Sequence, residues 1–256
     1  MDSTRRSNRL LSMTWRDVFF AHWPVDPAVV EPTLPDSLTV DTDDHGNAWL
    51  SIVGFVMDDI RPRFVPVGLS FPELNLRTYV RHEGSRGIYF YNLDADDRLG
   101  VPVARRLYQL PYYRADQTVT TADGLIHFES HRTHEGIPPA DFDATIEPSA
   151  SPPARAAGHT ASDSGTPSVS DGGQTDVPTA FLVERYRFFA TDDDGTLYYG
   201  DIDHEPWEMQ DARMTIRENT LFEAAGFEPP DQRPHVQYAE SLPVTAGRIH
   251  RLSHSL

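Results

Sequence analysis

Cysteine and lysine are both missing from the 256 residues. All 22 basic residues are Arg, set against 26 Asp and 13 Glu, and the formal charge is −17 with His neutral. Without Cys there is no disulfide framework, thiolate zinc site, iron–sulfur cluster or Cys nucleophile. Without Lys no side chain can form a Schiff base or serve as a P-loop lysine. Long apolar runs are missing as well. No window approaches the roughly 20 apolar residues of a membrane span. Met1–Trp15 lacks the apolar stretch of a secretory signal. No G-x-S-x-G elbow, G-x-G-x-x-G loop or H-E-x-x-H pair occurs, so no motif points to a serine hydrolase, a dinucleotide enzyme or a zincin. The expectation is a soluble, cytoplasmic chain. The acidic balance argues against nucleic acid and membrane surfaces as partners, since both are polyanionic.

The Asp-rich, Lys-free composition resembles that of proteins from extreme halophiles. Short carboxylates hold water and cations in concentrated salt, where screening over about 3 Å removes their repulsion. Runs such as Asp41–Asp44 and Asp192–Asp194 are on this reading solvated surface first and sites second.

Apolar residues make up 39% and aromatics 11%, enough for a substantial core in one β-rich domain. One composition break stands out. Pro148–Pro178 is built from Ser, Pro, Ala, Gly, Thr and Asp, and it cannot bury enough apolar area to offset its ordering entropy. It reads as a disordered insert in a single domain spanning 15–252, behind a tail at 1–14. The rest is largely strand-like. Asn47–Met57 follows a His45-Gly46 turn. Hairpins are expected from Pro72–Val80 with Gly87–Ala95, Tyr112–Thr121 with Gly124–Thr133, and Tyr186–Thr191 with Thr196–Asp203. Short helices are expected at Pro27–Thr33 behind an Asp26 cap, at Asp97–Leu107, at Glu218–Ala225 before Gly226, and as a turn at Thr179–Arg185. Mainly β with a few short helices (α+β), in an antiparallel sheet or barrel, is the fold class.

Few segments can carry chemistry. In Pro72–Val80 one strand face holds Leu74, Leu76, Thr78 and Val80, and the other holds Glu73, Asn75, Arg77 and Tyr79. The polar face is either an outer solvated surface or the lining of a polar interior in which Arg77 grips a carboxylate. Of Asp94 and Asp96, one reads as a helix cap, with Asp94 on the site side as the alternative. His127, Glu129 and His131 share a strand face at metal-ligand spacing, with His134 just beyond, but no partner can be named for them and no metal is assigned. His204-Glu205-Pro206-Trp207 and His22-Trp23-Pro24 could each form a pocket wall with one titratable group, or simply pack.

Six blocks occur in order: FFAHWPV (Phe19–Val25), FPELNLRTYV (Phe71–Val80), GIYFYNLDAD (Gly87–Asp96), ARRLYQLPYY (Ala104–Tyr113), FLVERYRFF (Phe181–Phe189) and HEPW (His204–Trp207). Together they resemble the YqjF-like proteins, a bacterial and archaeal family of unknown function, here in a haloarchaeal-type member. That family resembles the acetoacetate decarboxylase-like superfamily. The resemblance implies an antiparallel β-barrel with a central cavity. In the decarboxylases a helix leads into a lysine pair, one of which forms the Schiff base. Here the corresponding segment reads Leu110-Pro111-Tyr112-Tyr113, with tyrosines in that place. Imine chemistry on a lysine is excluded.

What remains is a cavity for a small acidic organic molecule. Arg77 is the expected carboxylate anchor, Glu73 the general acid or base, and Tyr113 (or Tyr112) the phenolic donor. Asn75, Arg105, Arg185, Tyr186 and His204 are further ligand-binding candidates from the family blocks. No cofactor is expected. Three readings stand: a small-molecule-binding barrel; an enzyme using acid–base or electrostatic catalysis on a keto or carboxylate substrate; and a non-catalytic interaction scaffold with the Ser/Pro insert as tether.

Overall fold

A computed structural model describes residues 10–62, 64–96, 108–156, 179–192 and 194–252. Among the described residues thirteen strands carry the architecture. They are β1 (Leu11–Val25), β2 (Thr39–Val40), β3 (Ala48–Pro62), β4 (Leu69–His82), β5 (Ser85–Ala95), β6 (Tyr112–Ala122) and β7 (Leu125–Arg132), then β8 (Asp141–Pro148), β9 (Ala154–Arg155), β10 (Arg187–Thr191), β11 (Leu197–His204), β12 (Glu208–Asn219) and β13 (His235–Arg251). Their order is β2-β4-β3-β1-β13-β11-β10-β5-β6-β7-β8-β12-β9, and β4 also pairs with β5 and β12 with β13. Most pairs are antiparallel, while β5 pairs in parallel with β10 and with β6. The fold is mostly β with few short helices.

The turns follow the local chemistry. Gly84, Gly124 and Gly195 close the three hairpin turns and Gly46 the turn before β3, all at positive φ, a region that costs a side chain. The three expected hairpins form as β4–β5, β6–β7 and β10–β11. Helix α1 (Pro27–Val30) begins with Pro27 behind Asp26, whose carboxylate accepts from the Ala28 N–H at 2.9 Å, and a 3₁₀ turn continues it to Thr33. Helix α2 covers Thr179–Val183. The expected helix at Glu218–Ala225 is shorter. Pairing with β8 carries β12 as far as Asn219, so α3 spans only Leu221–Ala224, with Gly226 at φ 84° behind it. The expected helix Asp97–Leu107 lies outside the described residues.

Ordered strand enters both segments read as outside the domain. Leu11 and Met13 continue the inner face of β1, and Met13 is core. The segment 148–178 opens with ordered chain: Ala154 and Arg155 pair with β12, and the buried Ala156 donates its N–H to the Trp207 carbonyl at 3.0 Å. Residues 157–178 lie outside the described residues.

Two core clusters sit on opposite faces of β1, β3 and β4. Phe19, Ala21, Leu50, Ile52, Leu74 and Leu76 pack against Ile126 and Phe128 of β7 and Phe142, Ala144 and Ile146 of β8. The other face presents Phe20, Val53 and Phe55 to a cluster that includes Leu93, Phe188, Trp207 and Leu242. Both faces of β4 are therefore covered, and Leu74, Leu76, Tyr79 and Val80 are fully buried. Among the described residues no helix is long and apolar enough to cross a membrane.

Two acidic runs differ from the solvated surface expected of them. Asp41 is fully buried and bound by arginines, and Asp43 accepts from the His45 and Asn47 N–H groups, the Asn47 amide and the Trp49 indole. Short carboxylates in a turn cap backbone N–H groups, and that local use outweighs solvation here. Asp192 does the same for the Asp194 and Thr196 N–H groups.

Candidate functional site

The alternation of β4 places the site. Glu73, Asn75 and Arg77 project from one face into a cavity of about 300 Å³, and all three are buried. The remaining wall is almost entirely apolar. Trp15 and Phe20 come from β1, Phe55 and Met57 from β3, Phe90 and Leu93 from β5, Phe188 from β10, and Trp207 precedes β12. At this volume the cavity is near the lower end of the roughly 300–1,000 Å³ range of small-molecule sites.

Glu73 is the titratable group at its polar end. Tyr112, on β6, donates its hydroxyl to Glu73 Oε2 at 2.8 Å, and Asn75 Nδ2 donates to Oε1 at 3.3 Å. Burial pushes the Glu73 carboxyl up to about 7, against the two hydrogen bonds, and Asp94 adds to the rise. Burial also holds the Tyr112 phenol well above its usual range, with Glu73 beside it contributing. Tyr112 thus touches the same carboxyl that lines the cavity.

Arg77 has no carboxylate within salt-bridge distance among the described residues. Its Nη2 donates to the Leu182 carbonyl at 3.3 Å, and its guanidinium carbon lies 5.4 Å and 5.8 Å from the Phe20 and Tyr79 ring centroids. Among the described residues its Nε and Trp15 Nε1 are buried without an acceptor, and Asn75 Oδ1 is buried without a donor, all on the same cavity. Buried polar groups are nearly always paired, so unpaired groups converging on one space mark where a polar ligand group fits.

The other expected site residues divide. Tyr113 does not line the cavity. It is the next residue along β6 and faces the other way, with the Arg132 guanidinium 4.9 Å from its ring and His134 edge-on to it. Of the two tyrosines offered as the phenolic donor, Tyr112 lines the cavity and Tyr113 does not, as the two-residue period of a strand requires. Arg185 and His204 line the cavity margin, where Arg185 is committed to Asp41 at 2.7 Å. Tyr186 is half-exposed, stacks on His204 at 4.5 Å and donates to Glu184. Arg105 lies outside the described residues. Asp94 neither caps a described helix nor lines the cavity. It forms a buried two-point pair with Arg132 of β7 at 2.7 and 2.8 Å, on the opposite face of β5.

His127, Glu129 and His131 do not converge. His131 pairs with Asp141, whereas His127 reaches Asp143 at 2.9 Å and Glu129 at 3.4 Å. The ligand atoms of His127, Glu129 and Asp143 lie within 4.8 Å of one another, yet Arg217 already grips Asp143, at 2.6 Å. His22 is a packed core histidine. Its Nδ1 lies 2.6 Å from Ser51 Oγ, which also contacts the Tyr79 hydroxyl at 2.9 Å. Burial, with Arg77 and His235 nearby, holds its pKa well below the usual histidine range. The apolar part of the wall was missed in the sequence, although Phe20, Phe71, Phe90, Phe188 and Trp207 all lie in the blocks that carry the family resemblance.

Comparison with known proteins matches residues 12–243 to the family DUF2071, described as an uncharacterized conserved protein. The uncharacterized protein YqjF of Bacillus subtilis (strain 168) is 38% identical over 238 residues, covering 92% of this chain and 89% of that one. Among solved structures, acetoacetate decarboxylase from Legionella pneumophila subsp. pneumophila str. Philadelphia 1 superposes with a TM-score of 0.60 at 12% identity, over 95% of this chain and 87% of that one. The enduracididine biosynthesis enzyme MppR complexed with pyruvate gives 0.61 at 12% identity, over 96% and 91%. These two show the fold.

Proposed function

The chain belongs to the DUF2071, YqjF-like family, and from that premise we propose that it binds a small organic acid with an apolar body in the main cavity. The carboxylate sits against Arg77, and the body lies among Phe20, Phe55, Phe90 and Trp207. The observation that carries this reading is the buried Arg77 guanidinium, which has no anionic partner among the described residues and opens on a largely apolar space. A guanidinium in a dry site gains most from a two-point carboxylate. Glu73 does not oppose it, because a carboxyl titrating near 7 is largely neutral in mildly acid solution. Strand pairing supports a barrel around the cavity: β4, β3, β1, β13, β11, β10 and β5 follow one another, and β5 pairs back to β4. The charge of −17 supports a cytoplasmic, salt-adapted chain without polyanionic partners. Native mass spectrometry of gently purified protein, with a thermal-shift screen of monocarboxylates, tests the reading. A bound acid or a rise in melting temperature is expected, since a ligand that binds only the folded state stabilises it by mass action. Failure of both would contradict it.

A second reading is favoured by one observation, the Glu73–Tyr112 pair with Glu73 poised near neutrality. A carboxyl with that pKa is suited to proton transfer at a carbon beside a carbonyl, without an imine. MppR, a fold neighbour, is complexed with pyruvate, a keto acid. Exchange of the pyruvate methyl protons in D₂O, followed by NMR, separates the two readings. Catalysis predicts exchange that rises through a pKa near 7 and is lost in Glu73→Gln. No exchange above the solvent rate leaves binding alone.

A further inference from the structure

A second cavity of about 820 Å³ opens beside the first, and Arg185, Arg187, Ile202 and His204 line both. Its character is different. Arg86, Arg185 and Arg187 line it, together with Glu184, Asp201 and Asp203. Two of these acids are already engaged. Glu184 accepts the Trp207 N–H at 2.8 Å and the Tyr186 hydroxyl, and Asp201 takes both arms of Arg187 at 2.7 and 3.1 Å.

The remaining arginines are not matched in the same way. Behind the wall, fully buried Asp41 pairs with Arg185 at 2.7 Å, Arg86 at 3.3 Å and Arg81 at 2.5 Å. One carboxylate therefore serves three guanidiniums. Arg86 and Arg185 also lie against one Phe181 ring, at 5.5 and 4.3 Å. Two cations sharing one ring and one carboxylate repel each other, and the repulsion grows as water is excluded. Arg185 is buried, with a side-chain exposure of 4%, and its Nη2 has no acceptor among the described residues. A second anion would supply that acceptor.

We propose that this wall is a binding site for a small oxyanion, a carboxylate or a phosphoryl group, held by Arg86 and Arg185 at the threshold of the apolar cavity. Guanidinium forks recognise both groups through paired N–H donors. The site does not depend on what the main cavity binds.

Isothermal titration of the full chain with inorganic phosphate, and separately with acetate, at fixed ionic strength tests the proposal. Saturable binding of at least one anion is expected, and whichever binds names the chemistry. Arg86 is half-exposed, so Arg86→Gln should fold and should weaken binding roughly tenfold, the loss of one charge-assisted contact. In Arg77→Gln, which lacks the main-cavity anchor, phosphate binding should persist. The proposal is overturned if the wild-type chain binds neither anion, if Arg86→Gln binds as well as wild type, or if Arg77→Gln abolishes phosphate binding, which would place the ion in the main cavity.

Discussion

Arg77 and Glu73 are two buried ionisable groups on one strand face, and each should reveal itself separately. Arg77 keeps a desolvated guanidinium whose Nε finds no acceptor among the described residues, a cost that its ring contacts only partly offset. Arg77→Met should therefore melt at or above the wild-type temperature while losing carboxylate binding. Such a trade-off marks a residue kept for function. Glu73 has an ordinary value of 4.5 when exposed and about 7 when folded. Between those values the folded chain holds a proton that the unfolded chain has released. Stability therefore falls as pH rises from about 4.5 to about 7, and the penalty persists above that range. Glu73→Gln should remove this slope. Urea unfolding at pH 5 and pH 8 should show the variant gaining on wild type at the higher pH, by at most about 3 kcal/mol. Equal differences at both values would contradict the buried placement.

Much of the site was readable at this scale. The alternation of Glu73, Asn75 and Arg77 placed them on one face from residue order alone. Whether that face was inside could not be read, because a solvated strand face has the same residues. Tyr112 and Tyr113 show the same limit, since one step along a strand decides between cavity and outer wall. Asp41 looked like solvated surface because its arginines, Arg81, Arg86 and Arg185, lie far along the chain.

Among the elements, β3 and β4 carry the cavity on one face and the join to β7 and β8 on the other. That join has two specific fittings. At Gly54 a Cβ would lie 2.4 Å from the Phe19 ring, so Gly54→Ala should cost about 1–3 kcal/mol by overpacking. The double variant with Phe19→Leu should recover part of that loss. Arg132 and Asp94 bridge β7 to β5 with side-chain exposures of 3% and 0%. Arg132→Ala should cost about 3–5 kcal/mol, because it leaves Asp94 buried without its cation. Denaturant unfolding measures both. The hairpins were readable because a glycine turn and a two-residue period signal them locally. The end of β12 was not. Glu218 and Asn219 suit a helix start, but their pairing with β8 is a long-range contact that no local pattern records.

For the whole molecule, a charge of −17 on a lysine-free chain should make stability depend on salt. Raising sodium chloride from 0.1 to 3 M should raise the melting temperature, because screening shortens from about 10 Å to below 3 Å and carboxylate repulsion fades. A flat or falling curve would count against salt adaptation. The missing lysine also bears on chemistry. The fold is that of proteins that include a decarboxylase, yet Tyr112 and Glu73 meet where the resemblance places the lysine pair. The account rests on a carboxylate facing Arg77. Its most direct test is calorimetric titration of wild-type protein and Arg77→Met with octanoate and with octanamide, which differ only in the acid group. Octanoate should bind the wild type at least about tenfold more tightly than octanamide, and the preference should vanish in Arg77→Met. Equal affinities for the two compounds in the wild type, or a preference that survives in Arg77→Met, would contradict it.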